Sequence, residues 1–309
     1  MNKAGVRDSG FGIRGTGLGT RPPSPSGLRR PSGSGDRVGR SSVTLVGAGF
    51  SRLQTGVRRA AVCLAAAVLL PGAALAQDAR QIMEEAQTRT DATSQHYEGL
   101  LQVIDAKGKI TDKRWAYDRM GSHGRSKSLL TFTQPAEVKG VALLVINYPE
   151  RASDQWMWTP AIQRERRIAM QDRSTRFFGT DFSFEDLEER DTEQYDYAMI
   201  GDDTIEGVAC WKIESKPRKT KSSQYTSSVV WVRKDNYAFQ RIENLTQGTI
   251  ARRLKYSRIE RVQGIWTARV LEMADLRRNS RTVLTLEKLE YNVPMKDENF
   301  TLQALRRNQ

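Results

Sequence analysis

Between residues 96 and 291 short runs of alternating apolar and polar side chains follow one another closely, and turn signals separate many of them. That pattern leaves room for little except a meandering antiparallel sheet. Strands are predicted near 96–105, 112–119, 126–133, 141–148, 155–159, 164–169, 195–200, 207–215, 223–233, 237–244, 250–259, 264–273 and 280–291. The turns expected between them include Asp105 to Gly108, Gly201 to Asp203, Lys234 to Asn236 and Gln263-Gly264. With almost no long helix between strands, a βαβ fold is excluded. No Gly-x-Gly-x-x-Gly follows a strand and the body has no phosphate loop, so a nucleotide site is unsupported.

How the strands alternate points to the class of function. Every position from Val141 to Ile146 is apolar, and Tyr225 to Val232 becomes apolar on both faces toward its end. An antiparallel sheet with one wet face alternates instead, so either something covers both faces here or one face forms an oily cavity. Trp156 and Trp158, two apart on one strand, point the same way and suit either a core or the wall of an apolar site. Elsewhere the strands stay amphipathic: Ile250, Arg252, Leu254 and Tyr256 alternate with Ala251, Arg253, Lys255 and Ser257. A sheet that is doubly apolar in part and half wet in part fits a mainly β fold, a curved antiparallel half-barrel (an incomplete β-barrel) with short helices over its concave face. Two helices are expected, at 78–89 with Asp78 as its cap and around 181–189, where Ser183 and Asp186 resemble a capping box. Phe182, Phe184 and Leu187 can then drop onto the concavity. The candidate ligand wall is Leu144, Ile146, Trp156, Trp158, Trp231, Phe182 and Phe184.

The first 76 residues stand apart, holding 14 of the 24 Gly and 5 of the 10 Pro but none of the six Trp. Residues 1–57 read as a low-complexity leader, with a start site placed too early as the simplest account. Arg58-Arg59, the apolar run Ala60 to Leu70 and the small-x-small site Ala74-Leu75-Ala76 form a signal peptide over 58–76, cleaved near Ala76. The expected address is the periplasm, with residues 77–309 as a single mature domain. Of the formal net charge of +13, about +9 belongs to the first 76 residues, which removes the case for nucleic acid.

The chemistry-bearing residues are few. Two His and two Cys exclude a His-rich metal cluster and an internal disulfide scaffold, so no metal and no cofactor is expected. His96 and His123 read as strand-edge and loop surface, and Cys210 as a small core residue. Basic runs at Arg164 to Arg167, Arg173, Arg176, Arg252-Arg253, Arg277-Arg278 and Arg306-Arg307 read first as solvated surface and second as a face toward acidic partners or lipid head groups. Asp181 and Glu185, four apart and therefore on one face of a helix, keep a carboxylate-based enzyme open as a minor alternative. No activated nucleophile is recognisable, and no catalytic residue is assigned.

Several of these segments carry a family resemblance. Pro135 to Gly140 followed by apolar Val141 to Ile146, then Asp154 to Ala161, Arg166 to Ile168, and above all Phe178-Gly-Thr-Asp-Phe-Ser-Phe-Glu-Asp-Leu187 resemble the outer-membrane lipoprotein-sorting protein family, within the LolA/LolB-like superfamily. The similarity spans roughly 93–300. It implies an exported half-barrel whose apolar concavity carries lipid or lipoprotein acyl chains between membranes. It also implies a signature loop at Phe178, Gly179, Thr180, Asp181, Phe182, Glu185, Asp186 and Leu187, an aromatic strand at Trp156 and Trp158, and an RND-type exporter as a partner beside transient membrane contact. A non-transporting module accessory to such an exporter is the rival reading. The family supplies no catalytic residue, and the sequence does not give the cargo or the oligomeric state.

Overall fold

The computed structural model describes residues 78–307; the expected leader and signal peptide lie outside the described residues. Helix α1 (Ala79–Thr88) is capped by Asp78, whose carboxylate accepts from the backbone N–H of Arg80, and it buries Ala79, Ile82, Met83 and Ala86. The chain then forms β1 (Ser94–Ile104), β2 (Ile110–Met120), β3 (Lys127–Gln134), β4 (Ala142–Ile146), β5 (Asp154–Thr159) and β6 (Arg164–Arg167). A long loop with short 3-10 turns, 168–194, leads to β7 (Tyr195–Ile205), β8 (Val208–Pro217), β9 (Ser227–Arg233), β10 (Phe239–Thr246), β11 (Thr249–Val262), β12 (Ile265–Asp275) and β13 (Ser280–Tyr291). Helix α2 (Leu302–Arg307) ends the described chain.

All thirteen strands form one sheet in the order β6-β5-β4-β3-β2-β1-β13-β12-β11-β10-β9-β8-β7. Every neighbouring pair is antiparallel, and all but the long-range pair β1 and β13 are sequential, so the chain meanders outward in both directions from that pair. The sheet keeps two free edges, β6 and β7, and so is a half-barrel rather than a closed barrel. Each of the thirteen predicted strands has its counterpart. Gly201 is the exception among the turns. Its φ of 149° sits at a register shift between Met199 and Gly201 that lets β7 run on through Asp202 and Asp203. The reversal comes instead at Glu206-Gly207, both in the left-handed region.

Register identifies the concave face. Met157, Leu143 and Leu130 lie opposite one another, as do Phe132 and Trp115, then Leu101 and Leu284, and finally Thr282, Met273, Leu254, Ile242, Val230 and Ile213. Trp115 reaches across β1 only because residue 99 is glycine: a Cβ there would stand 2.6 Å from the indole nitrogen. The loop after β6 packs on one half of this face, adding Phe177, Phe178, Phe184 and Leu187 to a cluster with Trp115, Phe132, Leu143 and Leu284. Helix α1 packs on the other half, against Ile213, Val230, Val232 and Ile242. The opposite face is also covered, where Phe300 and Leu305 of the C-terminal segment sit on Leu129, Ala142, Leu144 and Trp158. The unbroken apolar run of β4 therefore reflects cover on both faces. Helix α2 was not expected, since only Leu302 and Leu305 mark its apolar side in six residues.

Candidate functional site

The loop over the concave face combines an aromatic underside with a carboxylate-rich set of tethers. Phe132 and Phe177 stack with ring centroids 5.4 Å apart, and Phe178 and Phe184 each meet Phe177 edge-on. The chain turns under them at Phe178 (φ 45°) and Gly179 (φ 75°), and the Thr180 hydroxyl closes the turn by donating to the Phe177 carbonyl at 2.7 Å. Ser183 and Asp186 make the expected reciprocal cap: the Asp186 carboxylate accepts from the Ser183 N–H at 2.8 Å, and the Asp186 N–H reaches the Ser183 hydroxyl at 3.3 Å. The helix so started is a single 3-10 turn, Glu185–Leu187.

Five acids pin the loop. Asp181, fully buried, accepts from Ser280 at 2.5 Å and Thr282 at 2.8 Å on β13 and from Arg176 at 2.9 Å. Glu185 accepts from the Ser223 hydroxyl and from the Gln224 N–H, while burial pushes its carboxyl above the usual range. Asp186 takes Arg252 of β11 at 2.8 Å and the Tyr225 hydroxyl at 2.9 Å. Glu188 takes Arg173 at 2.5 Å, Gln155 at 2.9 Å and Ser153 at 3.0 Å; Glu189 pairs with Arg119 and Ser126. Burying this much charge is tolerable only because each carboxylate has several donors.

Beneath the loop lies a cavity of about 220 Å³ between the two apolar clusters. Phe239, Ile242, Leu254, Tyr256 and Met273 give it an oily floor, and Glu185, Asp186, Arg190 and Lys221 a charged roof. Burial holds the Tyr225 and Tyr256 hydroxyls in their neutral form, with pKa values raised well above ordinary tyrosine.

The structure divides the expected site residues between two faces. Phe184 lies in the concave cluster with Phe178 and Leu187, and Phe182 is buried in the same loop. Leu144, Ile146, Trp156 and Trp158 lie on the opposite face, against the C-terminal segment. Trp231 is on that face too, packed with Ile205 and Cys210 and donating its indole N–H to Asp203 at 2.9 Å. None of these five lines the cavity. Asp181 and Glu185 do not share a helix face, because the helical turn begins at Glu185; one points to β13 and the other to residues 223–224. Arg173 and Arg252 are 7% exposed and tether the loop, so they are no part of a solvated basic surface. The signal for Arg252 was its place in the apolar phase of β11, between Ile250 and Leu254. His123 is nearly enclosed, 2.8 Å from Asp91, while His96 pairs with Asp118 across β1 and β2 at 2.7 Å. Cys210 is fully buried, its thiol pushed up to about 11 by desolvation. Among the described residues no three His, Cys, Asp or Glu converge to hold a metal ion.

A family model described only as "Uncharacterized protein"-like matches residues 124–307. No curated protein matches the chain. Among solved structures, a domain titled as an outer membrane lipoprotein-sorting protein from Vibrio parahaemolyticus superposes with a TM-score of 0.70 at 24% identity, covering 74% of this chain and 98% of that one. A DUF1329 family protein from Desulfovibrio piger gives a TM-score of 0.70 at 28% identity, covering 74% and 97%. A LolA superfamily protein from Nitrosomonas europaea gives 0.59 at 18% identity, covering 74% and 99%. With residues 124–307 matched, the chain belongs to the family of that model, and its open thirteen-stranded sheet shares the fold of these solved structures.

Proposed function

We propose that this periplasmic protein is a non-catalytic carrier that shelters acyl chains of a lipid or lipoprotein under the 173–191 loop. A cavity of about 220 Å³ is smaller than the roughly 300–1,000 Å³ of ordinary ligand pockets, so loading requires the loop to lift. Energetics favour an exchange of plugs. Withdrawing Phe177, Phe178, Phe184 and Leu187 from the sheet costs about 1.5–3 kcal/mol each. An incoming chain returns about 0.8 kcal/mol per buried methylene, so on the order of ten methylenes, one fatty acyl chain, balances the loss. Near-balance suits a carrier, which has to release what it binds.

The observation that carries this reading is the way the loop is held. Its own aromatic side chains fill an apolar trough, yet the tethers to the sheet rim are carboxylate hydrogen bonds, which water or a passing headgroup can replace. An RND-type exporter or the membrane itself would act as donor or acceptor. Native mass spectrometry of protein purified from its own envelope, followed by lipid extraction, tests the proposal: co-purifying acyl lipid is expected. Protein that stays free of lipid even when offered acyl chains in detergent favours the rival module, in which the loop is a permanent plug.

A further inference from the structure

The meander places the turns of alternate hairpins at one end of the sheet. Four of them stand side by side, β5–β6, β3–β4, β1–β2 and β13–β12, about 10 Å apart given the ordinary strand spacing. Three carry an exposed aliphatic residue at or beside the tip: Ile162 at 67% exposure, Ile110 at 58% and Leu276 at 41%. Around them stand Lys107, Lys109, Lys139, Arg164, Arg277 and Arg278, all exposed. The charged groups of these six enter no ion pair among the described residues. The acids in the same turns are Asp105, folded back to accept from the N–H groups of Lys107 and Lys109, Asp275, buried and accepting from the N–H groups of Arg277 and Arg278, and Glu137. Between two of the tips an open hollow of about 290 Å³ is lined by Ala136, Lys139, Gly140, Pro160 and Gln163.

The opposite end is different. The hairpins 121–126, 147–153 and 263–264 carry Arg125 and Arg151 against Glu150 and hold none of the large exposed hydrophobic residues. Single aliphatic tips separated by bases make a poor protein interface, which needs about 800 Å² per partner around a packed, charge-depleted core. They suit a bilayer, where each tip enters the interface independently and the bases meet phosphate.

We propose that this basic, aliphatic-tipped rim docks the protein on an anionic phospholipid surface. The inference rests on the carrier reading for its purpose, since docking would bring the loop to the membrane that supplies or receives cargo. Co-sedimentation with phosphatidylglycerol/phosphatidylcholine vesicles, against phosphatidylcholine alone, tests it. Wild type should bind the anionic vesicles preferentially and lose binding in high salt. Each base near such a surface strengthens binding by roughly fivefold, so Lys107→Glu/Lys109→Glu/Arg277→Glu/Arg278→Glu should weaken it by about a hundredfold or more. Ile110→Ser/Ile162→Ser/Leu276→Ser should weaken it as well. Arg125→Glu/Arg151→Glu, at the other end, should leave it intact; circular dichroism confirms that each variant is folded. Equal binding to both vesicle types, or equal loss in the opposite-end variant, overturns the proposal. Uptake of a fluorescent fatty acid from solution separates it from the carrier reading: uptake without vesicle binding sinks only the docking surface, and vesicle binding without uptake sinks only the carrier.

Discussion

Arg252 shows how much of the account turns on single side chains. It stands on the concave face of β11 in an otherwise apolar row and holds Asp186 and Tyr225 together. Arg252→Met removes the cation and leaves a buried carboxylate without its counter-charge, which costs about 3–5 kcal/mol in urea unfolding at neutral pH. Adding Asp186→Leu should return part of that loss, because a well-packed apolar pair needs no counter-charge. Additive losses would show that the two groups are not coupled. A residue of this kind was half legible. Its strand phase marked it as inward, but its partner lies 66 residues away on a loop, and nothing local indicates which carboxylate a buried arginine will meet.

Elements were more legible than the faces they present. Short runs and turn signals located all thirteen strands, most of them by period-two alternation, since these depend only on neighbouring residues, whereas a face is defined by what packs on it. Trp156 and Trp158 are the instructive pair. Their spacing correctly puts them on one side of β5, but the cover comes from α2, whose six residues leave too short a pattern to read. Leu305→Ala should therefore cost about 2–4 kcal/mol of stability in thermal or urea melts while leaving acyl-chain uptake unchanged, as α2 lies on the far side of the sheet from the cavity. Loss of uptake in a folded variant would move the binding face. The edge at β5–β6 makes a second prediction. Hydrogen bonds from Arg151 and then Arg167 lower the Asp154 carboxyl from its ordinary 3.8 to about 2. A depressed folded-state value means stability that is present above pH 3.8 and lost as pH falls toward 2. With both arginines more than half exposed, the effect is about 1–2 kcal/mol. Asp154→Asn should show that loss at neutral pH and match wild type near the acid limit; a constant difference across pH would contradict it.

At the scale of the described chain, one curved sheet is covered on its inner face by a loop and a helix, and on its outer face by the C-terminal segment. The segment that carries the sequence resemblance, Phe178 to Leu187, lies in the loop: Phe177, Phe178 and Phe184 fill the trough, while Asp181, Glu185 and Asp186 anchor the rim. Function on this account is a competition between the protein's own aromatic plug and an acyl chain for the same apolar surface. The most direct test locks the plug. In Asp181→Cys/Thr282→Cys the two positions already stand in hydrogen-bond contact, and Cys210 is fully buried and out of reach. Transfer of a fluorescent phospholipid from donor to acceptor vesicles should stop in the oxidised variant and return on reduction of the same sample. Equal transfer in the oxidised and reduced forms would contradict the account.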